Sequence, residues 1–262
     1  MVHQDGITWG VDDGVGRIVL DNPEQSNAIG LAGGAALARA IDAVVAAAPR
    51  VIVLSARGPI FCAGGDIREF VAAGNDLPGL VRRVLDPLLP AYLKLNQQPA
   101  PVVAALQGPI GGAGTGLSLC ADFVLATPAM KLRTGYAAIG LSPDVGASYF
   151  LARRIGAVRA AQLFMTSDSV SAERCLALGV IDQLHPAAEF DAAVDALVQR
   201  LRLAAPGSMA AARRLCHGAA QRPLAEHLAL ERELLEGNAG TADAREGVAA
   251  FVAKRTPRFN GP

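Results

Sequence analysis

Over the first half of the chain, short blocks of consecutive apolar residues alternate with longer stretches in which apolar residues return every third or fourth position. The segment ITWGVDDGVGRIVLD reads as two strands joined at an Asp-Gly turn. LARAIDAVVAA then sets Leu37, Ile41, Val44 and Val45 on one helical face, at i, i+4, i+7 and i+8. PRVIVLSA and PVVAALQG are unbroken apolar runs of strand length, as expected of strands covered on both faces. A helix is expected around residues 81–95, kinked by Pro87 and Pro90. GLSLCADFVLAT reads as a helix entering a third strand. Residues 1–126 therefore predict βαβ units with helices packed on a largely parallel sheet.

From about residue 156 the pattern becomes helical. FDAAVDALVQRL sets Phe190, Val194, Leu197, Val198 and Leu201 on one stripe, and PLAEHLALERELLEG is a further helix stopped by Gly237. VIDQL is the one strand-like run in this part. No repeat, low-complexity tract or linker stands out; the nearest to a boundary is the stretch at residues 153–157. An α/β body with a helical C-terminal part is the predicted architecture.

Composition narrows the function. Of 262 residues 52% are hydrophobic, and Lys+Arg equals Asp+Glu at 24 each, so net charge gives no reason to expect a nucleic-acid or membrane-surface partner. The start, MVHQDGITWG, lacks the basic and apolar segments of a signal peptide, and no apolar run reaches membrane-span length. Cys62, Cys120, Cys175 and Cys216 are scattered without a CxxC, which reads as buried free thiols in a reducing, cytoplasmic setting rather than metal ligands. No metal is expected.

Two glycine-rich runs, PIFCAGGDIREF (residues 59–70) and LQGPIGGAGTG (residues 106–116), each follow an apolar strand. The second has the strand–glycine–helix context of a dinucleotide site, but Leu117 stands where the third glycine of G-x-G-x-x-G belongs, and no Gly-Lys-Ser/Thr is present. Neither GLSLC nor GLSPD completes a G-x-S-x-G elbow. His3, His185, His217 and His227 lie far from both runs in sequence and read as surface or packing residues. Backbone chemistry remains: two small-residue turns facing each other would present a pair of N–H donors to one oxygen. Taken singly, each run is as well explained by a tight strand-to-helix turn.

Six segments in order, GRIVLDNPEQSNAI, FCAGGDI, PVVAALQGPIGGAGTGLSLCADFVLAT, GLSPDVGASYFLARRIG, SAERCLALGVIDQL and DAREGVAAFVAKRTPRFNG, resemble the crotonase (enoyl-CoA hydratase/isomerase) family. The resemblance spans nearly the whole chain. It implies an α/β, ClpP/crotonase-like fold of repeated ββα units, with residues 1–195 as the ββα superhelix. Residues 196–262 would be a helical region that completes a homotrimer or a dimer of trimers. It also implies an acyl-CoA thioester as substrate and no separate cofactor, coenzyme A being part of that substrate. Carried over by position, the oxyanion N–H groups are those of Gly65, after Ala63 and Gly64, and of Ala113, between Gly112 and Gly114. The coenzyme would be held around Gly65, Asp66, Ile67 and Arg68, by the turn Ser26-Asn27-Ala28, and by Phe251 and Lys254 near the C-terminus. Asp66 and Arg68 read equally as a helix-terminal acid and a solvated charge, and Phe251 as packing.

The family's hydratases carry two glutamates beside the bound water, and those positions fall here on Gly116 and Tyr136. Neither is a carboxylate, whereas water addition needs groups to deprotonate water and to deliver a proton. Asp144, in GLSPDVGAS, is the nearby acid, and the segment looks most like the 1,2-epoxyphenylacetyl-CoA isomerase and Δ3–Δ2 enoyl-CoA isomerase branch. A double-bond isomerase using Asp144 as its one base is the expected activity. An enoyl-CoA hydratase is the alternative, with an acyl-CoA hydrolase or a non-catalytic CoA-binding protein behind it. Asp144 reads also as a turn former or the N-cap of the following helix. Tyr136 reads as a pocket wall or a donor to substrate.

Overall fold

The computed structural model describes residues 1–261. Strands β1 (Val2–Gln4), β2 (Ile7–Asp12) and β3 (Val15–Leu20) form an antiparallel meander. Helix α1 (Leu31–Ala46) then crosses to β4 (Val51–Ala56), which pairs parallel to β3. Helices α2 (Ile67–Ala73) and α3 (Leu77–Gln97) precede β5 (Val102–Leu106). After β5 come β6 (Ile110–Gly111), α4 (Ala113–Leu119), β7 (Phe123–Ala126) and β8 (Lys131–Arg133). Next are α5 (Ala147–Ile155), α6 (Ala157–Thr166), β9 (Val170–Ser171), α7 (Ala172–Leu178) and β10 (Gln183–Leu184). Four helices close the chain: α8 (Ala187–Arg202), α9 (Pro206–Gly218), α10 (Leu224–Ala239) and α11 (Ala242–Val252).

The main sheet has the order β1-β2-β3-β4-β5-β7-β10, parallel from β3 onward, and β6-β8-β9 make a small second sheet. The apolar runs are continuous because both faces of the parallel strands are covered. On β4, Ile52 and Leu54 join the core beneath α1 and α3, while Val51 and Val53 face α8. Val102, Ala104 and Leu106 of β5 divide from Val103 and Ala105 in the same way. The period-two alternation of a strand thus supplies two cores at once.

Three expectations need correction, at Gly237, at residues 153–157 and at Cys216. Helix α3 spans Leu77 to Gln97 with Pro87 and Pro90 inside it; both prolines are exposed, where water can satisfy the carbonyls they release. Helix α10 continues through Gly237 to Ala239, since an interior glycine costs only about 1 kcal/mol, and the turn before α11 ends it. Residues 153–157 are no boundary: Ile155 and Ala160, either side of the α5–α6 junction, both lie in the core. Cys62, Cys120 and Cys175 are buried, but Cys216 is exposed. The expected division at residues 195–196 falls within α8, whose Phe190, Val194, Leu197, Val198 and Leu201 pack on the sheet. Among the described residues no helix is long and apolar enough to cross a membrane.

Helix α9 is fastened to the sheet by charge. Asp122, just before β7, accepts from Val102 N–H (2.8 Å), from Arg213 Nε (2.8 Å) and from His217 Nε2 (3.1 Å). Arg213 is itself 8% exposed and donates to the Gln98 carbonyl. Burial opposes the Asp122 charge, but His217, Arg213 and the Val102 N–H outweigh it and hold the carboxyl below its usual range. Further on, the C-terminal segment is tied down by Arg50, which donates to the carbonyls of Arg202, Phe259 and Gly261. Asp243 on α11 accepts from Asn260 and Gly261 N–H.

Asp122→Asn leaves Arg213 buried without its counter-charge, so the variant should lose about 3 kcal/mol at pH 7 in denaturant unfolding. The folded carboxyl titrates below the unfolded value of about 3.9, so its contribution is present above that value and lost as pH falls through the folded pKa. The gap between wild type and variant should therefore narrow below about pH 4. A gap unchanged by acid would show that the loss is not electrostatic.

Candidate active site

Two turns beyond the C-terminal ends of β4 and β5 are laced together through their backbones. Cys62 pairs with Ile110 in an isolated bridge, and Gly111 N–H donates to the Cys62 carbonyl (2.9 Å). A third segment braces the first turn: Ala63 N–H donates to Ser26 (3.0 Å), and Ile29 N–H to Gly64 (2.8 Å). Gly112 N–H donates to Thr134 (3.1 Å), fixing the second turn to the strand at β8. Gly64 and Gly112 have φ of 107° and 46°, and a Cβ on either would come within 3.2 Å of the other's Cα. Bare backbone is what lets the turns meet.

Among the described residues, neither the Gly65 nor the Ala113 N–H donates to a protein acceptor. Gly65 immediately precedes Asp66, the cap of α2, and Ala113 is the first residue of α4. The structure thus places both nominated donors on facing turns with their hydrogens unspent.

The nominated coenzyme contacts divide. Ser26 and Asn27 adopt left-handed backbone (φ 54° and 51°). Asn27 is 3% exposed; its carbonyl accepts from Asn22 N–H and its amide donates to Arg57 and Ile60. That side chain shapes the turn, and Ala28 beside it is half-buried. Asp66 caps α2 by accepting from Arg68 N–H, and Arg68 Nη2 donates back to it at 2.6 Å. The Arg68 hydrogen bond is the chief cause that holds the Asp66 carboxyl below its usual range. Ile67 is exposed. Phe251 is 85% exposed at the end of α11, and no side-chain hydrogen bond or ion pair joins it or Lys254 to residues 65–68 among the described residues. The α11 tail is anchored instead on Arg50, at the opposite end of β4 from the two turns.

Asp144 sits in a turn, not at a helix cap. Helix α5 begins at Ala147 with Gly146 as its N-cap, and the Asp144 backbone carbonyl accepts from Ala147 N–H (2.8 Å). The carboxylate accepts from the Tyr136 phenol, Oη to Oδ1, at 2.5 Å. Burial raises the Asp144 carboxyl above its usual range, with the phenol and its own backbone N–H working against that rise. Burial and the Asp144 charge push the phenol far up, so it stays a donor. Nearby Cys62 is pushed up to about 12 by burial and stays a thiol.

Gly116 explains why one acid stands here and not two. A Cβ on Gly116 would overlap the Val145 carbonyl oxygen, the residue directly after Asp144. Val145 reaches that place with φ 43°, rare for a β-branched residue. Tyr92 of α3 closes the other side, its phenol donating to the Gly116 carbonyl at 2.6 Å. Beside Tyr136 lies a cavity of about 420 Å³ whose wall includes Leu141, Pro143, Ala160, Phe164 and Met165. Sequence reasoning missed Val145, Tyr92 and Thr134. Each acts through backbone contact across at least 22 residues or through an unusual φ, neither of which leaves a local pattern.

Chemically, the arrangement offers two N–H donors for one oxygen and a carboxylate whose turn touches the helix carrying the second donor. Gly116→Ala should cost about 2–3 kcal/mol, as overpacking against backbone does, and should displace Asp144 with Val145. Unfolding and a crystal structure of the variant check this. An undisturbed midpoint would mean that the turn at residues 143–146 yields freely.

The family model described as Enoyl-CoA hydratase/isomerase matches residues 10–262. A Rhodobacter capsulatus protein named probable enoyl-CoA hydratase is 35% identical over 97% of this chain and 98% of its own. The 1,2-epoxyphenylacetyl-CoA isomerase of Escherichia coli is 31% identical, over 96% and 97% of the two chains. Among solved structures, an enoyl-CoA hydratase from Polaromonas sp. JS666 superposes with a TM-score of 0.89 at 31% identity, covering 97% of this chain and 99% of that one. With a matching fold, facing glycine turns and similarity along almost its full length, the chain belongs to the crotonase superfamily, as a member of the enoyl-CoA hydratase/isomerase family.

Proposed function

We propose that the chain is an isomerase that shifts the double bond of an unsaturated acyl-CoA thioester, with Asp144 as its single acid–base group. The observation that carries this reading is the backbone of Val145 in the only space a Gly116 side chain could enter. A second carboxylate at that position is incompatible with the turn that delivers Asp144. Two relatives are themselves named isomerases, that of Escherichia coli and the trans-2-decenoyl-[acyl-carrier-protein] isomerase of Streptococcus mutans, 31% identical.

In this mechanism the thioester oxygen lies between the Gly65 and Ala113 N–H groups. Asp144 takes a proton from C2 of a 3-enoyl group; the C2–H electron pair spreads over C2, C3, C4 and the thioester carbonyl. The negative charge gathers on the oxygen between the two donors, where one such N–H is worth about 3 kcal/mol. Asp144 then returns its proton to C4, leaving the double bond between C2 and C3. A carboxyl raised by burial is a stronger base than an exposed one, which suits α-proton removal. The apolar wall beside Tyr136 suits an acyl chain. The reaction consumes no cofactor beyond the coenzyme A of the substrate.

Leu224, Leu228 and Leu235 on α10, and Val248, Phe251 and Val252 on α11, are exposed, which supports assembly of copies through these helices as a trimer or a dimer of trimers. Phe251 and Lys254 are the C-terminal contacts proposed for the coenzyme. Light scattering should then give a mass of three or six chains; a monomer at micromolar concentration removes the proposal.

Asp144→Asn should lower isomerisation of a trans-3-enoyl-CoA by about a thousandfold while leaving the fold intact. Followed in deuterated water by absorbance and mass spectrometry, wild type should conjugate the 3-enoyl group and leave a trans-2-enoyl-CoA control unhydrated. Its rate should fall as pH drops through the raised Asp144 pKa, because only the ionised carboxylate accepts the proton. Hydration of the control at a comparable rate, undiminished in Asp144→Asn, would make the chain a hydratase with a structural Asp144.

A further inference from the structure

We propose that Tyr136 is the positioning residue of this site: its phenol holds one oxygen of the Asp144 carboxylate, so that the other alone faces the reacting carbons. The proposal rests on the one-base reading above. Its ground is the asymmetry of restraint around the carboxylate. Asp144 lies in a turn between Pro143 and two residues of left-handed backbone, Val145 and Gly146, where little else fixes the side chain. Among the described residues, Tyr136 is the one side chain that donates to it, and no cation pairs with it. Charged or titratable neighbours are few: Cys62 is a buried thiol, and Tyr92, whose phenol donates to Gly116, is buried and neutral.

The tyrosine, by contrast, is rigid. It is 6% exposed, its ring packs against Phe164 at a centroid distance of 6.0 Å, and its carbonyl accepts from Ile139 and Leu141 N–H. Two residues earlier, the Thr134 carbonyl accepts from Gly112 N–H and the Thr134 hydroxyl donates to Leu163. One short segment therefore anchors both the turn that carries the second oxyanion donor and the group that aims the base. The distance from base to oxyanion is set by residues 134–136.

With Oδ1 occupied by the phenol, Oδ2 must both remove the proton at C2 and return it at C4, on one face of the acyl chain. No exchange of the two oxygens is needed, and the phenol covers the occupied one. A substantial share of the original C2 hydrogen should consequently reach C4 even in deuterated water. Without the phenol the carboxylate rotates, becomes wetter and loses a hydrogen bond that favours its charged form.

Tyr136→Phe keeps the ring against Phe164 and removes only the donor. The expected result is a kcat lower by about tenfold with KM within about twofold, and less internal hydrogen transfer. The acid limb of the rate profile should rise by about one pH unit, since loss of a donor to a carboxylate raises its pKa. Two further measurements separate this from the reaction assignment. The Asp144 carboxyl, followed by carbon-13 NMR in ligand-free protein, should titrate higher in Tyr136→Phe and lower with 3-fluorotyrosine at position 136, which donates more strongly. Adding Tyr136→Phe to Asp144→Asn should change the residual rate by less than about twofold, because the phenol acts through the carboxylate. An Asp144 titration that moves in neither variant overturns the role of Tyr136, whatever the reaction proves to be. A moved titration with unchanged kcat and internal transfer overturns it too. If Asp144→Asn isomerises normally, it is the one-base reading that falls, and the ligand-free titration still judges the hydrogen bond.

Discussion

The site depends on the approach of the Val145 carbonyl to Gly116, closer than any side chain at position 116 would allow. Helix α4 begins at Ala113, whose N–H is unspent, and the turn after Pro143 carries Asp144. Because backbone meets backbone at Gly116, these two parts are held without a flexible side chain between them. Tyr92 secures the same residue from the other side by bonding its carbonyl. Such a contact resists deformation, since neither partner has rotamers to change, and protein interiors are packed too densely to absorb the shift elsewhere.

Around that contact the chemistry is mostly made of main chain. The turns at residues 63–66 and 110–113 contribute hydrogens rather than functional groups, and their geometry comes from Gly64 and Gly112 approaching Cα to Cα. Asp144 brings a partly buried carboxylate beside these turns, bonded there by one neutral donor. Charges elsewhere do structural work: Asp66 caps a helix and holds Arg68, while Asp122 gathers Val102, Arg213 and His217 onto one carboxylate. The division is economical in physical terms. Ion pairs hold helices in place, while the facing turns keep two N–H groups of a kind that, away from water, acts strongly on negative charge.

Much of this was legible in the residues themselves. Unbroken apolar runs located β4 and β5 because both strand faces are covered, and the stripe on α8 located the second core. The glycine runs identified the turns, and the family resemblance identified Gly65, Ala113 and Asp144 as candidates. What could not be read was how side chains are shared between distant segments. The Asn27 side chain braces Arg57 and Ile60, which its place in a turn did not reveal; Asp144 also read as a helix cap and bonds Tyr136 instead. Pro87 and Pro90 could be read as lying inside a helix, but sequence does not say which side of it meets water. Gly237 suggested a stop for a similar reason: a single glycine weakens a helix without ending it.

The hold of Arg50 on the last residues has a consequence for how the protein is made. Its bond to Gly261 joins residues 211 apart, almost the whole chain. A contact of that separation closes a very long loop, so it comes late in folding, after the sheet and its helices have formed. The α/β body therefore has time to assemble while α11 and its tail are still unattached. Copies meeting through α10 and α11 would then be joined by a part of each chain that docks late, which favours association of folded bodies over pairing of unfolded ones.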